Sequence, residues 1–512
     1  MHRVASLFFG VSSIGRLGSA HAFTAAPRDP CLSSRLDGSE SPEFSSRSSR
    51  NDIVGRATAA ALVAGLDENV EIVKSLEGGL GDPTGPSQCV DIARDLDGEP
   101  LSPEYLSTVL GVRVDSYECP ESEAFRGLMS NGCRIRTSAG DTAFYKRIEF
   151  ASLKHARDKL KMAPGKLKRD VKSYEVVTSF LSSRACQAVI DGADVHIPRC
   201  LDVNMRPDHE DPIRSQFSIM LEDFSVEKGW TQRWLLDSED EVKASLGMFA
   251  RLHAFFWQGS SFWENGEAAD EFERGVWPSA GYSQPTLQSP DQWKEVAKGW
   301  AKHKLQCRSD LEQTSYWSNL GERLQESVAE EVGHLAHPFA NEALREEYSK
   351  FRTFTHGDPK QSNLFFRVEG DDLQVGLIDF QWAGFGLAAT DLAHFVTSAI
   401  HEDLLREDGE AKLLKFYFDT LTVHLVEYGA FDNAVSAAEG FSFDTFMEQY
   451  NIAVLDMCRL VISYNWRRYI PVTEGDEDGI SRSMNLQSYN KNSKNAAWLM
   501  GKCDDLLRAR GI

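Results

Sequence analysis

Three patterns that would place a chain in a common class are missing from this sequence. Its nine cysteines include no Cys-x-x-Cys pair, and no group of histidines and cysteines has the spacing of a structural zinc site. No apolar run reaches the roughly 20 residues that a transmembrane helix needs. The glycine-rich stretch at residues 78–86 lacks the Lys-Ser/Thr that ends a phosphate-binding P-loop. The sequence therefore disfavours a zinc module, stable membrane insertion and a P-loop enzyme, and the scattered cysteines indicate a reducing compartment.

Positive charge is also scarce. The 512 residues carry 55 lysines and arginines against 77 aspartates and glutamates, which gives a formal net charge of −22 at pH 7. A chain this acidic is poorly suited to a phosphate backbone, so nucleic acid is not an expected partner. The hydrophobic share of 42% is that of an ordinary globular protein, and the length permits a large core and more than one domain.

The first 22 residues have the layout of a signal or targeting segment. A short apolar run, Val4–Ile14, precedes a small-x-small cleavage site at Ala20–Ala22. Residues 23–95 begin with Phe23 and continue into a tract rich in serine and arginine, without sustained periodicity, as in a transit-like or disordered linker. Together the two segments resemble the bipartite plastid presequence of algae with secondary plastids, which implies a plastid location. The alternatives are ordinary secretion and a cytoplasmic protein with a disordered tail.

The most informative stretch is residues 354–395, which contain two acids and an amide at a defined spacing. Asp358 and Asn363 stand five residues apart in the pattern His-Gly-Asp-x-x-x-x-Asn, and Asp379 follows an apolar run. Phosphoryl transfer from a nucleotide uses such a set. One carboxylate orients the attacking hydroxyl and accepts its proton, while an amide oxygen and a second carboxylate hold magnesium against the phosphates. Each residue alone could be a turn or capping residue, but the joint pattern favours the catalytic interpretation.

The spacing also predicts how the second acid returns to the first. The apolar run Leu364–Phe366 suits a strand, residues 369–372 are a turn signal, and the run that ends at Ile378 suits the partner strand. A hairpin of these two strands would bring Asp379 beside Asn363, so that both side chains could bind one ion.

These motifs resemble the phosphotransferase branch of the protein-kinase-like superfamily, which includes aminoglycoside phosphotransferases, choline kinases and ecdysteroid-kinase-like (CHK) proteins. The forms His-Gly-Asp and Ile-Asp-Phe-Gln are more similar to the last group than to protein kinases, which use His-Arg-Asp and Asp-Phe-Gly. The resemblance implies an α+β, bilobal protein-kinase-like fold. Its small β-rich N-terminal lobe would span residues 96–222, and its larger helical C-terminal lobe residues 223–512.

The resemblance also assigns a phosphate-positioning pair in the N-terminal lobe. Lys146, on a strand that follows a predicted hairpin, would pair with the nucleotide phosphates. Glu175, on a helix predicted over residues 165–182, would hold that lysine in place. Glu149 and Glu210 are the competing partners.

Further roles follow for residues around the nucleotide. The backbone of Leu221, Glu222 and Asp223 would form the hinge that meets the adenine. Asp391 would brace the catalytic loop and could also cap its own helix. Lys360 lies on the acceptor side of the loop, where contact with substrate or phosphate and exposure to solvent are equally expected.

The region between residues 259 and 350 is rich in tryptophan and would shape the substrate side. Its tryptophans could form an aromatic cage for a cation, with core packing as the alternative for most of them. They are Trp263, Trp277, Trp293, Trp300 and Trp317. His253 lies in a run similar to the family's LA-x-LHA-x-x-W helix, so we expect it to pack or to form hydrogen bonds.

Together these features predict a small-molecule kinase that uses ATP and Mg²⁺ to phosphorylate a hydroxyl of its acceptor. Asp358 is the expected base, Asn363 and Asp379 the metal ligands, and Lys146 with Glu175 the phosphate-positioning pair. The alternative is a weak or inactive nucleotide-binding pseudokinase or scaffold. It is favoured by residues 127–132, where the resemblance implies a loop over the phosphates but the Gly-x-Gly-x-x-Gly form is absent. A protein kinase is disfavoured because its motifs are missing. An antibiotic, an amino-alcohol, a sterol and a sugar all remain open as acceptors, as does the oligomeric state.

We predict that the N-terminal segment is a removable plastid address, because it combines an apolar run, a cleavage site and a Ser/Arg tract. A fluorescent fusion of residues 1–60 should therefore enter the plastid of an algal host with secondary plastids. A fusion of residues 23–60 alone is the control and should stay outside. Secretion of the longer fusion would support the ordinary-signal alternative, and a diffuse cytosolic signal would contradict both.

Overall fold

A computed structural model describes residues 91–120, 123–126, 130–152, 164–288, 290–306, 319–327, 329–468 and 487–512. The predicted targeting segment and nearly all of the linker lie outside these residues. So do residues 127–129 of the expected phosphate loop, and Trp317. The described chain consists of an N-terminal sheet and a larger C-terminal part made mostly of helices.

Six strands form the N-terminal sheet. They are β1 (Tyr117–Glu118), β2 (Phe125–Arg126), β3 (Asn131–Thr137), β4 (Thr142–Glu149), β5 (Cys200–Arg206) and β6 (Gln216–Glu222). The order is β1-β3-β4-β6-β5, β2 also pairs with β3, and every pair is antiparallel. Lys146 therefore lies on a central strand, opposite Gly132 of β3 and Ile219 of β6.

Three helices belong to the same part of the chain: α1 (Pro103–Leu110), α2 (Pro164–Leu181) and α3 (Arg184–Ala193). Helix α1 has a standard start, because Ser102 caps it by accepting a hydrogen bond from the amide of Tyr105 and Pro103 follows as the first helical residue. Ile92 and Ala93 are buried in one cluster with Leu106 of α1, so the packed core begins ahead of α1 itself.

Twelve described helices follow the sheet. They are α4 (Glu239–Phe255), α5 (Gly266–Gly275), α6 (Val296–Gln306), α7 (Leu320–Ser327), α8 (Ala329–Ala336), α9 (Glu342–Arg345), α10 (Ala388–Ala399), α11 (Gly409–Glu427), α12 (Ala434–Gly440), α13 (Phe443–Ser463), α14 (Ser488–Lys491) and α15 (Ser493–Ala509). Helix α10 is buried along nearly its whole length, because it packs against α13 and against a short strand that leads into the catalytic loop. This confirms the predicted α+β fold with a small β-rich lobe and a larger helical lobe.

Four short strands frame the predicted catalytic stretch: β7 (Thr353–Thr355), β8 (Leu364–Glu369), β9 (Asp372–Leu377) and β10 (Gly384–Gly386). Strands β8 and β9 form the predicted hairpin, with Leu364 opposite Leu377 and a two-residue turn that contains Gly370 at a φ of 63°. Strand β10 pairs with β7 and so closes the stretch on itself. The hairpin places the residue after β9 next to the residue before β8.

Three segments differ from what their local sequence indicates. The alternating sequence of residues 112–117 is typical of a strand, yet the strand is only Tyr117–Glu118, because the amide of Val114 instead bonds the hydroxyl of Ser107 on α1. Asp391 does not cap α10, as was expected; the cap position is Leu387. The helical sequence of residues 487–508 forms two helices, since Asn492 ends α14 and caps α15.

The tryptophans described by the structure do not share one cage. Trp263 stacks under the guanidinium of Arg352 at 4.9 Å, and Trp293 under that of Arg459 at 4.5 Å. Trp277 stacks on Trp382 and Trp300 is buried. The tryptophans therefore serve packing, which is the alternative the sequence favoured for most of them. Within the described ranges, moreover, no helix is both long enough and apolar enough to span a membrane.

One aromatic residue links α2 to the catalytic stretch. The ring of Phe180 lies 4.8 Å from that of Phe354 on β7 and 4.7 Å from that of Phe380, which follows Asp379. All three rings are buried. Close ring contacts of this kind add to the free energy of burial, so this cluster ties the sheet-side helix to both parts of the site.

We therefore expect Phe180→Ala to lower the free energy of unfolding by about 3–5 kcal/mol, the usual cost of removing a buried aromatic side chain. Chemical denaturation followed by fluorescence measures the loss. Phe416→Ala, at a phenylalanine that is 36% exposed on α11, is the matched control and should cost less than about 1 kcal/mol. Equal losses in the two variants would show that Phe180 is not part of the central packing.

Candidate active site

The catalytic loop is held in place by one buried carboxylate. Asp391 on α10 accepts hydrogen bonds from the amide of His356 at 2.6 Å and from the amide of Gly357 at 2.9 Å. The same carboxylate also contacts Nε2 of His253 on α4, at 3.3 Å. Burial alone would raise the pKa of Asp391, but the hydrogen bonds and positive charge of these neighbours hold that pKa below its usual value. The bracing role expected of Asp391 is therefore present in the structure.

Steric constraints explain why the His-Gly-Asp motif has glycine at its second position. Gly357 has a φ of +79°, and a Cβ atom there would lie 2.3 Å from the carbonyl oxygen of Trp382. That same carbonyl accepts a hydrogen bond from the amide of Gly281. A side chain at residue 357 would push these segments apart, so glycine is what allows the loop to pass close to the stretch that follows Asp379.

The histidine of the motif connects the loop to the hairpin. Nδ1 of His356 accepts a hydrogen bond from the amide of Asp358, so the ring proton is on Nε2. Nε2 donates a hydrogen bond to the carbonyl of Ile378 at 2.8 Å. His356, two residues before Asp358, therefore holds Ile378, the residue before Asp379.

Asp358 is buried, and its two carboxylate oxygens differ. Oδ2 accepts a hydrogen bond from Nζ of Lys360 at 2.7 Å. Oδ1 is buried, has no hydrogen bond within the described ranges and lies 3.6 Å from Nε2 of His394. Lys360 is therefore paired with the acid and mostly buried, which argues against free exposure to solvent; its contact with substrate or phosphate stays a prediction. The free oxygen is the one available to a hydroxyl.

Asn363 faces the same acid from the other end of the loop. Its Nδ2 donates to the backbone carbonyl of Asp358 at 2.8 Å and lies 3.5 Å from the Oδ2 atom of that residue. This fixes the amide so that its oxygen points away from Asp358. The backbone carbonyl of Asn363 also accepts a hydrogen bond from the amide of Ile378. The hairpin therefore brings the loop and the Asp379 segment together, as the spacing predicted.

Asp379 adopts a left-handed backbone conformation, with a φ of 69° and a ψ of 59°. Few residues other than glycine adopt it, and its occurrence in a site indicates a constrained backbone. Its Oδ1 lies 3.5 Å from Nζ of Lys146. Burial would raise the pKa of Asp379, but the positive charges of Lys146 and Lys360 hold that pKa below its usual value. The carboxylate is thus ionised and faces cations.

The predicted pair of Lys146 with Glu175 is not formed. The ring that lies under Lys146 is Tyr174, whose centroid is 5.7 Å from Nζ. Glu175 is the next residue on α2, about 100° further around the helix, and its carboxylate contacts Lys172 at 3.5 Å and His209 at 3.0 Å. In the described chain the acid at Lys146 is therefore Asp379. The competing partners do not take its place, since Glu149 contacts Arg147.

The hinge residues stand at the end of β6. Leu221 pairs with both neighbouring strands, and the amide of Glu222 already donates to the carbonyl of Arg199. The side chain of Asp223 is buried and accepts a 2.6 Å hydrogen bond from Nε of Arg134 on β3. The amide of Glu222 is thus occupied, and adenine contacts from the backbone of Leu221 and Asp223 stay predictions.

Two further residues at the site, His394 and Tyr282, were not expected from the sequence. His394 lies three residues after Asp391, close to one helical turn, so helical spacing could have placed it on the side of α10 that faces the loop. The ring of Tyr282 packs edge-on against it at 5.9 Å and lies 6.1 Å from Trp382. Tyr282 belongs to an irregular segment, where no periodic signal exists.

Comparison with known proteins found similar solved structures and a matching family. No curated protein matches it in sequence. Similar solved structures include a microcompartment-associated aminopropanol kinase, at 11% identity over 79% of this chain and 96% of that chain, with a TM-score of 0.31. A macrolide 2′-phosphotransferase from Brachybacterium faecium matches at 15% identity over 74% and 96%, with a TM-score of 0.31. An ethanolamine kinase from Plasmodium vivax matches at 11% over 77% and 88%, with a TM-score of 0.33.

The family comparison covers the segment that holds the site. The model of the ecdysteroid kinase-like family matches residues 173–429, which is half of the chain and includes Asp358, Asn363, Asp379 and Asp391. The chain therefore belongs to the ecdysteroid kinase-like family.

Proposed function

We propose that this protein transfers the γ-phosphoryl group of ATP to a hydroxyl of a small-molecule acceptor. The proposal rests on the hydrogen bonds that join the loop of Asp358 to the β8–β9 hairpin. The amide of Ile378 bonds the carbonyl of Asn363, and His356 bonds the carbonyl of Ile378, so Asp358, Asn363 and Asp379 are held on one surface. A base and two hard oxygen ligands on one surface are what phosphoryl transfer requires of a protein.

Asp358 has the properties of the base. It is buried, its loop is fixed by Asp391, and its Oδ1 has no hydrogen-bond partner in the described chain. An acceptor hydroxyl that donates to Oδ1 would be oriented for attack and would pass its proton to this oxygen. Lys360 holds the other oxygen, so the carboxylate cannot rotate away from the acceptor.

Asp379 and Asn363 fit a divalent cation. The pKa of Asp379 is held low, so it offers an ionised carboxylate, and the amide oxygen of Asn363 points away from Asp358. Carboxylate and amide oxygens are the ligands that Mg²⁺ takes. When bound, the ion would neutralise charge on the transferred phosphoryl group. The protein then needs only to present these two oxygens on the same side of the hairpin.

Lys146 supplies positive charge at the same place. Its Nζ is 3.5 Å from Oδ1 of Asp379 and its side chain is 17% exposed, so it lies at the surface of the cleft. Positioned cations stabilise the charge that develops on phosphate oxygens. We propose that Lys146 contacts the nucleotide phosphates and that Asp379 holds the ammonium group in position for this contact.

One observation favours the alternative of a weak or inactive nucleotide-binding protein. Lys146 lacks the predicted carboxylate on α2, since Glu175 contacts Lys172 and His209. ATP consumption by the full chain with Mg²⁺ decides between the two functions, with amino-alcohols, sugars, sterols and aminoglycosides as acceptors. Nucleotide binding with no transfer to any of them would favour the inactive protein.

Removal of the Asp379 carboxylate should abolish the magnesium dependence of nucleotide binding, because the stronger of the two proposed ligands is lost. Titration of Mg²⁺ into mixtures of Asp379→Ala with ATP measures this. Asp372→Ala removes an exposed acid at the far end of the same hairpin and should behave as the wild type. Metal dependence that persists in Asp379→Ala would refute the assignment.

Asp358→Asn should separate binding from transfer. The side chain keeps its size but loses the charge that accepts the proton, so turnover should fall by about two to four orders of magnitude. Nucleotide affinity, measured by calorimetry, should persist because Asp358 is assigned to the acceptor. Loss of ATP binding or of folding would instead make Asp358 structural, and full turnover would place the base elsewhere.

A further inference from the structure

Two buried polar atoms face each other beside the loop that carries Asp358, and neither forms a hydrogen bond with any residue that the structure describes. They are Oδ1 of Asp358 and Nε2 of His394, 3.6 Å apart, which is too long for a hydrogen bond. Burial of a polar group without a partner costs free energy, so such groups in a native structure require a reason. Their position next to the proposed base indicates a functional one.

His394 is suited to donate a hydrogen bond rather than to carry charge. Burial lowers its pKa to about 4 against the opposing effect of Asp358, so the ring is neutral at physiological pH. A neutral imidazole has one N–H and one acceptor nitrogen. With the proton on Nε2, the ring presents an N–H to the space beside Oδ1 of Asp358.

The spacing of the two atoms suits a third atom between them. An oxygen atom at a normal hydrogen-bond distance of about 2.8 Å from each would form a triangle with the 3.6 Å separation as its base. A hydroxyl group has both functions that this position requires, because its O–H can donate to the carboxylate while its oxygen accepts from the imidazole.

We propose that His394 binds the acceptor hydroxyl together with Asp358, an inference that rests on the proposed function. The acceptor O–H donates to Oδ1 of Asp358, and the acceptor oxygen receives a hydrogen bond from Nε2–H of His394. In the transfer, a bond forms between this oxygen and the γ-phosphorus of ATP, and the bond from that phosphorus to the β–γ bridging oxygen breaks. ADP leaves with the electron pair of the broken bond, and the hydroxyl proton passes to Asp358.

Two aromatic rings lie beside the position proposed for the acceptor. Neither Oδ1 of Asp358 nor Nε2 of His394 is open to solvent, and the ring of Tyr282, which is partly exposed, packs edge-on against His394. An acceptor bound at the pair would therefore lie close to Tyr282. Trp382, also partly exposed, lies 6.1 Å from Tyr282 and would flank the entering molecule.

A pair of variants at His394 tests the inference. His394→Leu keeps similar bulk but removes the donor, whereas His394→Gln keeps an N–H donor of similar reach. For an acceptor that the wild type phosphorylates, kcat/KM of His394→Leu should fall about 10- to 100-fold, with the KM for ATP changed less than about twofold. His394→Gln should recover most of this loss.

A second histidine provides the matched control. His337 is equally buried and lines the same small cavity as His394, but its Nε2 already contacts Ser283 at 3.1 Å and Asp456 at 3.2 Å. His337→Gln should lower Tm without changing the KM for the acceptor. The effect at His394 is then a loss of acceptor binding and not a general loss of stability.

The outcomes separate this inference from the proposed function. Transfer by His394→Leu with wild-type kinetics for the acceptor would overturn the role of His394 and leave the phosphotransferase standing. A His394→Gln variant as impaired as His394→Leu would also overturn it, because a donor alone would then not suffice. A wild type that binds ATP but phosphorylates no acceptor would overturn the proposed function and this inference together.

Discussion

The site depends on the buried carboxylate of Asp391. Two consecutive backbone amides, those of His356 and Gly357, donate to it, and this contact fixes the loop that carries Asp358. A buried charge is stable only when hydrogen bonds and opposite charge compensate for its lost hydration. His253 provides further compensation and is itself held by the hydroxyl of Tyr417 at 2.7 Å. The helical core therefore determines the position of the catalytic loop.

This dependence explains why the catalytic stretch could be predicted from the sequence while its surroundings could not. The hairpin β8–β9 follows from two apolar runs and a turn, which are local signals. Glycine at residue 357 and the five-residue spacing of Asp358 and Asn363 are local as well. Local signals give reliable predictions because the chain must satisfy them whatever packs around it.

The wrong or missing predictions concern contacts that depend on the direction in which a side chain points. The helix that carries Glu175 was predicted within one residue at each end, as Pro164–Leu181. Its rotation was not, and the ring of Tyr174 rather than the carboxylate of Glu175 lies under Lys146. One residue turns the helix by about 100°, so the correct helix can still present the wrong side chain. His394 was not predicted for a related reason. It lies on the side of α10 that faces the loop, and this side is known only once the contact between Asp391 and the loop is known.

The net charge of the whole chain does not describe the charges next to the site. The net charge is −22, yet Lys146 and Lys360 both act on Asp379, and the guanidinium of Arg169 lies 5.6 Å from the ring of Trp382. At physiological ionic strength the Debye length is about 8 Å, so distant surface acids contribute little to the potential here. Phosphate groups in this cleft would therefore experience the nearby cations, which are partly buried and weakly screened. An acidic protein can bind a polyanionic nucleotide for this reason, and its net charge gives no argument against ATP.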